Sequence, residues 1–223
     1  MGLLTKIQTR VAVAEAIDDA AYARWSAANL DLLITLVQDS LWQQILDTAP
    51  YFLSVLENET TSASGVIDIT TGLTSKRFYR VQDVLKNADS TVYTPVMYGE
   101  ATPTSQYYYI LGDEIVTSDN STSTDVVYAY LPTKFDDLAS DATVLDEWPL
   151  GHEAALIYMS AAWALTKGDA ESMAQVGRIA DTAVDAMLRH VARRYPVPVA
   201  PRQPAVISQT VRNPLIPLSV GGG

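Results

Sequence analysis

Apolar positions along the chain change their spacing twice, and each change marks an expected boundary. Residues 11–25 are alanine-rich with scattered acids, a composition that favours helix. Asn29 is a candidate cap for a second helix. Beyond it Ile34, Val37, Leu41 and Ile45 recur at helical intervals, and Pro50 marks the end of the stripe. Residues 1–56 therefore form an N-terminal helical segment.

The texture changes at Glu57. "ENETTSASG" reads as a polar loop, and β-branched and aromatic residues dominate from Gly65 to Leu131. Short strands are expected in "VIDI", "KRFYRVQDVL", "STVYTPVMY", "QYYYIL", "EIVT" and "DVVYAYL". Gly112-Asp113 suits a tight hairpin turn between two of them. Both alternating faces of "DVVYAYL" are apolar or aromatic, so that strand is expected to be covered on both sides. Eight of the twelve tyrosines fall between Tyr79 and Tyr130. Tyrosine suits interfaces because an apolar ring carries a polar tip, although strands also favour it on their own account. Tyr107, Tyr109, Tyr128 and Tyr130 are the candidate contact residues of this β module, residues 57–133.

Residues 134–148 read as a solvated acidic linker, and helices return over 149–195. Pro149 is placed for a helix start, and "HEAALIYMSAAWALTK" is apolar nearly all round, as a buried helix would be. Gly168-Asp169 breaks it, with Asp169 as the next cap. Met173, Val176, Ala180, Ala183, Met187 and Val191 then carry a second stripe. Arg189, His190, Arg193 and Arg194 lie where positive charge complements a helix end. The two helices predict an antiparallel hairpin. The fold class that results is α+β: a helical bundle with an inserted small antiparallel β module and an extended C-terminal arm.

That arm, residues 196–223, holds six of the eleven prolines and no acid. Pro196, Pro198 and Pro201 forbid helix and favour extended backbone. Its apolar residues Val206, Ile207, Val211, Leu215, Ile216 and Leu218 are more than a solvated linker needs. An extended arm that docks on a partner, for example as an added strand, accounts for both properties. Arg193, Arg194, Tyr195, Arg202 and Arg212 supply its polar contacts.

Charge sharpens the contrast. The net charge is −11, yet from Ala186 onward there are five arginines and no acid, which leaves −16 on residues 1–185. An acidic body argues against gripping nucleic acid, whose phosphates need clustered Lys and Arg. A basic end fits an acidic surface on a neighbouring copy or another protein. With no cysteine, disulfides and thiolate metal sites are excluded. The first twenty residues show neither a signal peptide nor a membrane span. Asn58-Glu59-Thr60 and Asn120-Ser121-Thr122 match the glycosylation pattern and mark expected exposed loops.

Catalytic constellations fail on spacing. "HEAAL" opens like a zincin helix, but Leu156 stands where the second ligand is required. His152 and His190 fall on different expected helices. No nucleophile elbow, P-loop or dinucleotide turn occurs, and Asp136, Asp137, Asp141, Asp146 and Glu147 lack the alternate spacing of a calcium loop. The reading is a protein that is not an enzyme and uses no cofactor or metal.

The order of parts carries a resemblance. "FYRVQDVL", "YYYILGDEIVTS" and "DVVYAYLPTKFDDL" precede "LDEWPLGHEAALIYMSAAWALTKGDAESMAQVGRIADTAVDAM". In Tyr128–Met187 a strand ending "YAYLP" runs through an acidic linker to an aromatic-Pro helix start, an alanine-rich helix, a Lys-Gly-Asp break and a second helix. "LITLVQDSLWQQIL" is similar to a second helix of the same family. Together these resemble the head-to-tail adaptor (connector, head-completion) proteins of tailed bacteriophages. The resemblance implies a structural virion protein at the neck between head and tail, assembled in the host cytoplasm. It implies a homo-oligomeric ring, usually of twelve copies, docked under the portal protein. Such a ring extends the DNA channel and offers a surface to the next neck or tail protein. DNA would pass without specific binding, no membrane would be involved, and the C-terminal arms would reach the portal or adjacent subunits. The alternatives are another neck or tail-completion protein, or a carbohydrate-binding module using the tyrosine-rich strands.

Overall fold

Four polar residues expected to open a loop, Glu57–Thr60, instead complete a strand that starts at Ser54, and that strand changes the architecture. In the computed structural model, which describes residues 4–99, 106–145, 147–165 and 170–195, β1 (Ser54–Thr60) pairs with β8 (Ser123–Leu131) in an unbroken antiparallel register from Ser54↔Ala129 to Thr60↔Ser123. Its side chains alternate between exposed and half-buried, the signature of an edge strand with one wetted face. On the other flank of β8 lies β3 (Arg77–Lys86), with β4 (Thr91–Val92) beyond it. A second sheet has the order β2 (Val66–Asp68), β7 (Glu114–Thr117), β6 (Tyr107–Leu111), β5 (Thr94–Pro95). It is mixed, because β5 and β6 run parallel. The protein is therefore not a helical bundle carrying a small antiparallel insert. It is an α+β fold in which two four-stranded sheets fill the middle of the chain.

The helices flank that middle. α1 (Lys6–Ala16) is closed by a capping box at Thr5 and Gln8. It stops nine residues short of the end of the alanine-rich run. Beyond it Asp18 and Tyr22 take left-handed backbone, and the buried Asp19 carboxylate accepts the amides of Ala23, Arg24 and Trp25. A side chain that collects backbone donors in this way offers the chain a turn in place of a helix. α2 (Ala27–Thr48) is capped by Ser26, not by Asn29, whose amide donates to the Ser26 hydroxyl. After the one-turn α3 (Ile69–Gly72) in the strand region, α4 (Glu153–Ala164) and α5 (Ala170–Arg194) form the expected hairpin. α4 begins four residues beyond Pro149, with His152 at its cap and Gly151 in left-handed backbone before it. The break at Gly168-Asp169 and the Asp169 cap lie outside the described residues.

Two clusters hold the molecule. The larger gathers Ile34, Val37, Leu41, Trp42 and Ile45 of α2 with Leu156 and Ala161 of α4 and Val184, Met187 and Val191 of α5. Met173 alone of the expected α5 stripe is exposed. The smaller lies where the sheets and α3 meet: Val84, Tyr93, Tyr108, Ile115, Val126, Tyr128, Ile67, Ile69 and Leu73. Ala129 of β8 belongs to the larger cluster and its neighbour Tyr128 to the smaller, so β8 is covered on both faces there.

Residues 134–148 are no solvated linker. Phe135, Leu145 and Trp148 are buried, and the segment straps the N-terminus down. The amides of Lys6 and Ile7 donate to the carbonyls of Thr143 and Asp141, and the amide of Leu145 donates to Leu4. Arg10 grips Asp31 through two 2.6 Å bonds and reaches Asp141 at 2.9 Å. Those two carboxylates raise the Arg10 pKa.

Candidate functional site

The arm leaves the body at the end of α5, whose last turn carries Arg193 and Arg194, both exposed. Tyr195 turns inward and meets Phe52 edge-on at 4.8 Å. Phe52 lies 6.0 Å from Trp42, and Trp42 meets Trp148 edge-on at 5.2 Å. An aromatic chain thus joins the root of the arm to the buried face of α2. Arg202, Val206, Ile207, Val211, Arg212, Leu215, Ile216 and Leu218 lie outside the described residues.

The four candidate tyrosines do not share a surface. Tyr107 and Tyr109 are half-buried on β6, with Tyr109 packed 5.6 Å from the exposed Tyr98. Tyr128 is fully buried between the sheets, where its hydroxyl donates to Glu57 Oε2 at 2.8 Å and lies 3.1 Å from Ser75 Oγ. It is a core residue with no surface to offer a partner. Tyr130 donates to Glu147 Oε1 at 3.1 Å, and Lys76 Nζ lies 4.9 Å from its ring centre. The binding platform expected from tyrosine count therefore dissolves into core, sheet face and cleft wall. The alternation that marks a strand does not say which face another layer covers.

Sequence reasoning missed a cleft between α2, the ends of β3 and β8, and the strap. Two adjoining cavities of about 250 and 290 Å³ share Lys76, Pro132, Thr133 and Glu147 as walls. Gln38, Trp42 and Trp148 close the first, and Arg77 lines the second. Gln38 and Trp42 are 3% and 1% exposed, yet Gln38 Oε1 and Trp42 Nε1 have no hydrogen-bond partner. Arg77 donates from Nη2 to Asp39, while its Nε and Nη1 are buried and unpaired. Buried polar atoms normally find partners, so four orphans around one cleft are unusual. The available signal was Gln38 one turn before Trp42, a polar residue inside an apolar stripe.

The two histidines meet across the helical hairpin with ring centres 4.9 Å apart. Burial first, and then the charge of His190, push the His152 pKa below its ordinary value, against the pull of Glu153. Among the described residues no cluster of three or more His, Asp or Glu could hold a metal ion, and no helix is long and apolar enough to cross a membrane. A scan against protein-family models gives no match, and a search of curated proteins finds none.

Proposed function

We propose that this chain is a structural virion protein, a head-to-tail adaptor that assembles as a ring under a phage portal and presents the next neck or tail component with its docking surface. The observation that carries the reading is the pairing of exposed aliphatic residues on the two N-terminal helices. Ile7 and Val11 of α1 are 43% and 38% exposed, and Leu32 and Leu36 of α2 are 53% and 55% exposed. Each pair is spaced by one helical turn, as a helix presents anchors to another protein. Exposed aliphatic pairs of this kind favour an assembly that covers them. The order of helical segment, strand-rich middle, strap and helical hairpin agrees with the resemblance that suggested the adaptor.

In this reading residues 195–223 tether the ring to the portal or to adjacent copies. A single arm gains little, because ordering backbone costs about 1–2 kcal/mol per residue. Many arms on a closed ring act together, and avidity raises affinity about 10²–10⁴-fold. Acids facing the channel would repel DNA and let it slide. The test is the native mass of the purified protein, alone and mixed with portal protein. A ring of about twelve copies on the portal supports the reading, and a persistent monomer in the mixture overturns it.

A further inference from the structure

A circuit of contacts closes around the end of α5. His152 caps α4, and its carbonyl accepts from the Trp148 indole at 3.1 Å. Trp148 meets Trp42, Trp42 lies against Phe52, and Phe52 holds Tyr195 edge-on at 4.8 Å. The Tyr195 amide donates to the Val191 carbonyl at 2.9 Å, which ties it to the last turn of α5. His190, the neighbour of Val191, then returns to His152, with ring centres 4.9 Å apart and planes tilted by 50°. Strap, α2, the corner before β1 and both helices of the hairpin are thus joined in one loop. Only one of its links, the two imidazoles, changes charge between about pH 5 and 8.

Neutral rings simply pack against each other. With a proton on each, two like charges face one another 4.9 Å apart, His152 half-buried and His190 exposed. His152 also stands at the positive end of the α4 dipole, where a further cation is disfavoured. Little nearby charge relieves the pair. Glu153 of α4 pulls the other way, but its carboxylate also accepts from the Gly151 amide at 3.3 Å. Arg189, Arg193 and Arg194 of α5 add positive charge, and all three are exposed. Acids on the surrounding elements are engaged elsewhere: Asp31 with Arg10, Asp39 with Arg77, Asp47 with Arg80 and Glu147 with Lys76. Burial and His190 hold His152 below its ordinary 6.5, so the doubly charged pair belongs to the acid side of that value. The start of α4 is the fixed side, since His152 donates its amide to Pro149 and its carbonyl accepts from Ala155 and Trp148. The end of α5 is the yielding side, because terminal helical turns fray. We infer that His152 and His190 form an acid-opened clasp: charged together, they part the end of α5 from the start of α4 and draw Tyr195 off Phe52. The clasp governs the point at which residues 196–223 leave the body, and it stands whether or not the protein forms a ring.

Amide hydrogen exchange of the full-length protein, read by NMR at about pH 7.5 and 5 and corrected for intrinsic exchange at each pH, tests the clasp. Protection of the Arg194 and Tyr195 amides is expected to fall about ten-fold or more on acidification, and the Phe52 ring resonances to move as Tyr195 leaves. Ile34, Val37 and Leu41 of α2, all in the helical core, are expected to keep their protection. In His190→Gln and in His152→Gln the fall is expected to shrink to about two-fold or less, because glutamine takes up no proton. His190 is exposed, so its variant keeps the fold. A fall that persists in both variants would assign the response to carboxylates and overturn the clasp. Unchanged protection in the wild type overturns it too, as does a loss that spreads equally to α2, which is ordinary acid unfolding. None of these readouts involves portal protein, so failure of the ring reading and failure of this one are separable.

Discussion

The two cores of this protein are built on different principles. The helical core is large and almost wholly aliphatic and aromatic, and its α2 residues Ile34, Val37 and Ile45 have no exposed surface. The sheet core has nine buried residues, three of them tyrosines, and it is ringed by carboxylates that those tyrosines and their neighbours engage. Asp119 Oδ2 accepts from Lys86 at 3.0 Å, Tyr93 at 3.1 Å and Gln106 at 3.3 Å. Burial first, and then this carboxylate, push the Tyr93 hydroxyl up to about 12. Glu57 accepts from Tyr128 and Ser75, and although burial works to raise its pKa, those donors carry it below the usual carboxylate value. Shape holds the first core. In the second, hydrogen bonds make up for a small apolar volume, and such a core fails when one polar partner is lost.

The comparison can be broken from the largest effect downward. Ile45→Ala is expected to cost about 2–5 kcal/mol, read from the urea midpoint, because a fully buried side chain leaves a cavity. A cost under 1 kcal/mol would mean that the helical core can collapse around the gap. Asp119→Ala is expected to cost about 1–3 kcal/mol by leaving Lys86 and Tyr93 without their acceptor. If it costs nothing, the network is ornament and the sheet core stands on its apolar residues alone.

Gly65→Ala is expected to cost about 1–2 kcal/mol from its left-handed backbone. A contact adds to this, because a Cβ there would lie 2.5 Å from the Thr117 carbonyl oxygen. Thermal unfolding reads it out, and equal melting temperatures would show that the turn shifts to make room. The smallest effect concerns pH. His152 is depressed when folded, so between its ordinary value of 6.5 and its lower folded value the unfolded chain binds more protons. That contribution is therefore present above pH 6.5 and is lost as pH falls through the folded value. His152→Gln is expected to flatten the slope of stability between pH 7.5 and 5.5, measured against wild type at each pH. An unchanged slope would assign the pH dependence to the carboxylates.

Periodicity found what long, regular burial creates. The α2 stripe, the two C-terminal helices and the central strand were legible because each repeats one pattern over many residues, and the Gly112-Asp113 turn because its residue types suit left-handed backbone. β1 was not, because an edge strand with a wetted face can be as polar as a loop; only its register with β8 shows what it is. The strap was misread for a related reason. Its acids dominate the composition, while the anchoring is done by Phe135, Leu145 and Trp148, spaced too irregularly to signal anything. The cleft was the least legible, since Gln38, Trp42, Arg77 and Glu147 meet only when three distant segments pack.

The stitching of Leu4–Ile7 to Asp141–Leu145 has a bearing on how the chain is made. A ribosome releases the first helix long before the segment that pins it exists. At about 5–20 residues per second the wait is about 7–30 s. Throughout that interval α1 must stay unsettled or lean on α2 alone, and final closure is a late event that needs nearly two thirds of the polypeptide to have emerged.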